Sequence, residues 1–162
     1  TMAAKSGDTA MTTPDGYDIS NAATAGADSY DIGVTSMKIL ALGDWEIVST
    51  GTPLTSLTQM IFSIGDCEMP AVAKADGVKN VTLSGAFVDA GKPKAIAPGA
   101  SLSGDPKGLK LLGTIKGDPR TDKKAAAQFK ITYTVAALSG TGEALGSVYV
   151  GDDKTAAGFD TP

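Results

Sequence analysis

Phe129-Lys130-Ile131-Thr132-Tyr133-Thr134-Val135 places apolar side chains at every odd position and polar ones at every even position. That period of two is the pattern of a strand with one face on a core and one in solvent. It recurs, less cleanly, in Met37–Leu42, Trp45–Ser49, Gln59–Ile64, Val78–Leu83, Ala86–Asp89, Leu109–Ile115 and Ser147–Val150. Between these runs stand Gly43-Asp44, Gly65-Asp66, Asp76-Gly77, Gly91-Lys92-Pro93, Gly104-Asp105-Pro106 and Gly117-Asp118-Pro119. Glycine supplies positive φ at such places and proline presets it, so these are turns with a mechanism. Asp outnumbers Glu 15 to 3, which favours turns and caps over helix interiors. Two short helices are predicted, one near Pro53–Leu57 and one over Asp122–Gln128 with Thr121 as N-cap. The fold class predicted is all-β: a β-sandwich or small β-barrel of about seven or eight short strands with an extended N-terminal arm.

The arm comprises residues 1–36 and the β-rich body residues 37–162. The arm is rich in Thr, Ala, Gly, Ser and Asp, and sets Lys5 against Asp8, Asp15, Asp18, Asp28 and Asp31. Such a segment cannot offset its own ordering entropy and is expected to order only when laid on another surface. Its anchors are two Tyr-Asp-Ile triplets, 17–19 and 30–32, too few for a repeat. A short edge strand at each is the expectation, and Tyr17, Ile19, Tyr30 and Ile32 are the candidate contact residues. The 162 residues carry a formal charge of −4, unevenly spread. Residues 92–130 hold nine basic side chains against Asp105, Asp118 and Asp122, a net of +6, which leaves −10 elsewhere. A basic middle and an acidic arm can attract each other across subunits; the alternative is solvated strand faces and loops.

Composition also narrows the chemistry. With no histidine, the chain lacks the commonest general base and transition-metal ligand. One cysteine excludes a disulfide framework and a cysteine-based zinc or iron–sulfur site. Cys67, between Asp66 and Glu68, has a thiolate disfavoured by its neighbours and is expected to be a small buried residue. Trp45 is expected in the core. The carboxylate pairs Asp44/Glu46, Asp66/Glu68 and Asp152/Asp153 sit beside turns without calcium-loop spacing, so solvated carboxylates are expected. Gly140-Thr141-Gly142-Glu143-Ala144-Leu145-Gly146 fails as a nucleotide loop, because Leu145 takes the third-glycine position and a strand follows. A hairpin connection is predicted there. The basic stretch has little aromatic interleaving beyond Phe129, so specific nucleic-acid binding is not expected. No catalytic, cofactor-binding or metal site is predicted.

No apolar run approaches the ~20 residues that span a bilayer. Thr1–Ala10 carries no apolar core of export-signal length, so a soluble protein made inside a cell is expected. Thr1 is compatible with removal of an initiator Met and equally with a processed precursor.

The polar arm Thr1–Ser36 ahead of a β body, with glycine-punctuated stretches Ile96-Ala97-Pro98-Gly99-Ala100 and Leu111-Leu112-Gly113-Thr114-Ile115, resembles structural proteins of tailed-bacteriophage virions. The likeness is greatest to the small head decoration (cement) proteins. It is one of style over most of the chain, without a diagnostic motif, and carries no residue roles. The resemblance implies a non-enzymatic virion subunit on the capsid surface, bound to the major capsid protein or neighbouring subunits. It also implies a homo-oligomer, a trimer being favoured. A tail-tube subunit is the nearest alternative. A carbohydrate- or ligand-binding β-sandwich using Trp45 and nearby carboxylates is the alternative from another class.

Overall fold

The computed structural model describes residues 3–4, 11–12, 15–27, 29–116 and 127–150. Its strands are β1 (Ala3–Ala4), β2 (Met11–Thr12), β3 (Ile32–Ala41), β4 (Glu46–Ile47), β5 (Gln59–Ile64) and β6 (Cys67–Glu68). They continue with β7 (Lys79–Val81), β8 (Val88–Asp89), β9 (Lys92–Pro93), β10 (Leu111–Ile115), β11 (Phe129–Leu138) and β12 (Ala144–Val150). Two 3-10 turns, Lys74–Asp76 and Gly85–Phe87, interrupt them. The chain is all-β, as its alternation predicts.

Two four-stranded sheets dominate. One has the order β12-β11-β3-β7; the other has β10-β5-β4, with β6 also pairing β5. Alternation decides which side chains meet between them. Met60, Phe62 and Ile64 of β5 and Leu111, Gly113 and Ile115 of β10 are buried, while the residues that alternate with them are not. From the other sheet come Val34, Met37, Ile39, Ala41 and Val135, with Phe129, Ile131 and Tyr133 half-buried against them. Phe87 is fully buried and stacks on Tyr133, ring centroids 6.0 Å apart. Burying a side chain of that size contributes roughly 1.5–3 kcal/mol.

β3 begins at Ile32 rather than Met37, so one strand crosses the expected boundary between arm and body. Its first residues keep no clean alternation because Gly33 and Val34 are both buried. A register shift admits the change: Thr134 pairs Ser36 while Val135 pairs Val34, which leaves Thr35 as the extra residue of a bulge. Twelve strands are described where about seven or eight are expected from alternation, and six of the twelve have only two residues. Pairs so short leave no periodicity to read.

The helix expected near Pro53–Leu57 does not form. Gln59 Oε1 accepts from Thr55 N–H, Thr55 Oγ1 and Ser56 N–H, and these side-chain bonds hold turns in place of a helical ladder. Of the helix expected over Asp122–Gln128, residues 121–126 lie outside the described residues, and Ala127 and Gln128 run non-helically into β11. The stretch from Gly140 makes the hairpin between β11 and β12, as predicted, with Leu138 opposite Ala144.

Candidate functional site

Residues 16–21 lie on the loop formed by residues 99–109, held mainly by the main chain. Gly16 N–H donates to Lys107 O, Leu109 N–H to Tyr17 O (2.6 Å), Leu102 N–H to Ile19 O (2.8 Å) and Asn21 N–H to Ala100 O (2.9 Å). Bonds at alternate residues are what an extended chain offers a neighbour. Gly108 sits where the segment crosses, with φ +85°, and a Cβ there would lie 2.5 Å from Tyr17 O. Only glycine admits both the conformation and the approach. Further on, Ile32 and Ile96 exchange both backbone bonds, at 3.1 and 2.8 Å.

Side chains complete the seam. Asn21, 5% exposed, is the one buried polar side chain among the described residues. Its amide donates to Tyr30 O and Ile96 O, both at 3.0 Å, and its oxygen accepts from Ala23 N–H. Asp18 accepts from Ser103 N–H and from the Ser103 hydroxyl. The Tyr17 and Tyr133 hydroxyls lie 2.6 Å apart. Burial, and then the neighbouring Tyr17, push the Tyr133 hydroxyl far above the ordinary tyrosine range. This is a cap on the core.

The four candidate contact residues therefore divide. Tyr17, Ile19 and Ile32 are half-buried against the chain's own core, and Tyr30 is 58% exposed. Of the four, Tyr30 alone presents a mostly free side chain to a neighbour.

Of the other singled-out residues, Asp66 and Glu68 line one groove. Cys67 is fully buried, its thiol 3.5 Å from Thr82 O, and Trp45 is in the core. Asp44, Asp66 and Glu68 are exposed, and Glu46 accepts from Gln59 Nε2. Asp152 and Asp153 lie outside the described residues. Among those described, no three ligating side chains converge and no helix is long and apolar enough to cross a membrane. Lys92 pairs with Glu143 at 3.0 Å and Lys94 with Asp89 at 3.6 Å, both in solvent, where such pairs contribute little. Lys116 Nζ donates to Thr55 O, while Lys107 and Lys110 are exposed. Arg120, Lys123 and Lys124 lie outside the described residues.

The surface that alternation conceals is the outer face of the β10-β5-β4 sheet. A groove of 330 Å³ there is lined by Thr50, Ile61, Ser63, Asp66, Glu68, Leu112 and Thr114. Ile61 follows the buried Met60 and Leu112 follows the buried Leu111, so both apolar side chains occupy the solvent phase of their strands. That break in pattern is the signal available in the sequence. Comparisons of the chain with protein-family models, with curated proteins and with solved structures match none of them.

Proposed function

We propose that the protein is a non-enzymatic structural subunit of a virion, a decoration (cement) protein that binds and stabilises a phage capsid surface. The observation that carries this reading is the seam between residues 16–21 and 99–109. A segment too polar to build a core gains its order by lying extended on a β-rich body. Residues 1–14 share that composition, and their paired strands β1 and β2 are the part that meets the major capsid protein or a neighbouring subunit on a capsid. Tyr30 adds an exposed aromatic contact. Self-association then multiplies weak attachments through effective concentration.

The test is co-sedimentation with expanded phage heads stripped of their own decoration protein, for the full chain and for a variant lacking residues 1–14. Saturable binding by the full chain, weakened in the truncated one, is expected. Equal binding by both overturns the role of the arm. No binding by the full chain, tubes or stacked rings in negative-stain images, or a monomer that binds a sugar, overturns the decoration reading.

A further inference from the structure

The outer face of the β10-β5-β4 sheet carries its charge in columns. β10 is flanked by the exposed lysines Lys110 and Lys116. Central β5 shows Ile61 and Ser63. The far side carries Glu46 on β4 and Glu68 on β6, whereas Asp66, at the turn between β5 and β6, shares a hollow with Lys110. Gln59 pairs Glu46 in register, and Ile115 pairs Met60, so Lys116 and Glu46 lie at one level on opposite sides. Lys110, whose carbonyl accepts from Gly65 N–H, lies at the other end beside the β5–β6 turn. Lys116 and Glu46 are held within the chain by Thr55 O and Gln59 Nε2. Lys110, Asp66 and Glu68 have no charged partner among the described residues. Between the columns lies the groove with Ile61 and Leu112, the latter 46% exposed.

We infer that this face pairs with the same face of a second copy of the chain, about a two-fold axis parallel to the strands. Such an axis exchanges the two sides of the face and preserves level along the strand. Lys110 of each copy then meets the Glu68 side of the other, twice by symmetry, and Ile61 lies near the axis. An axis across the strands sets lysine over lysine, so charge selects the first arrangement. The apolar centre with polar flanks is the usual anatomy of such a contact. The inference deepens the self-association part of the proposed function, giving a dimer in place of the trimer that the resemblance implies. It does not depend on capsid binding.

The test is solution mass by light scattering and sedimentation equilibrium over a wide concentration range. The native chain is expected to be a dimer. Lys110→Glu and Glu68→Lys are each expected to raise the dimer Kd by about tenfold or more, since each reversal sets two like-charged contacts against each other. An equimolar mixture of the two variants, and a single chain carrying both reversals, are expected to dimerise again. That rescue separates an interface from a folding defect. Leu112→Asp is expected to give a monomer with an unchanged circular dichroism spectrum. A native chain that is monomeric or trimeric throughout, or a dimer indifferent to the single reversals, overturns the pairing. Dimers that ignore phage heads leave the pairing standing and remove only the capsid reading.

Discussion

Replacing Asn21 with alanine tests whether the segment ahead of β3 is part of the folded body. The native amide makes two donor bonds at 3.0 Å, to Tyr30 O and Ile96 O, and accepts one at 3.2 Å from Ala23 N–H. Ile96 O keeps the Ile32 N–H, but Tyr30 O loses its Nδ2 donor. Each such bond contributes a net of about 0.5–1.5 kcal/mol, so the loss is about 2–3 kcal/mol. For a domain of this size that lowers Tm by about 5–10 °C, read by calorimetry or circular dichroism. Asn21→Asp is expected to be worse at neutral pH, because a buried carboxylate then faces two carbonyl oxygens. It is expected to recover in part on acidification, as protonation restores a donor. If Asn21→Ala melts within about 1 °C of the native protein, the seam contributes nothing and the reasoning fails.

Three further outcomes are expected. Gly108→Ala should cost more than about 2 kcal/mol, because its Cβ would meet Tyr17 O at 2.5 Å in a left-handed backbone; a denaturant titration measures it. Tyr133 keeps its proton in the folded chain where an unfolded tyrosine loses it, near pH 10. Its stabilisation is therefore complete below that pH and declines above it, by up to about 1.4 kcal/mol per pH unit. Tyr133→Phe should make alkaline unfolding less steep, as followed by circular dichroism. Cys67 should resist a colourimetric thiol reagent until the chain is unfolded, and rapid reaction of the native protein would contradict its burial.

Much of the fold can be read along the chain because half-burial writes itself as alternation. β5 spans the expected Gln59–Ile64, and β11 extends the Phe129–Val135 stretch by three residues to Leu138. The buried Cys67 and Trp45 and the β11–β12 hairpin follow equally from local chemistry. The candidate surface was less legible. Tyr17, Ile19 and Ile32 stand out as anchors in a polar segment, but the sequence does not say on which surface they settle. In the structure that surface is the chain's own loop 99–109 and the core beneath it. The expected helix near Pro53–Leu57 failed for a related reason. Three donors converging on Gln59 Oε1 are a three-dimensional arrangement, invisible to a propensity read one residue at a time.

The sequence by itself determined the all-β class, the turns and the inward-facing residues of the longer strands, because each follows from period two or from the φ preferences of glycine and proline. Only the tertiary structure decided where the arm ends and the body begins. Ile32 becomes a strand residue by pairing with Ala137, 105 positions further on, across a bulge at Thr35. Tertiary structure alone also set Lys110 and Glu68 on opposite sides of one face, across the strand that carries Ile61. Strand neighbours are chosen by sheet hydrogen bonds between distant segments, and nothing local in the chain encodes which segments those are.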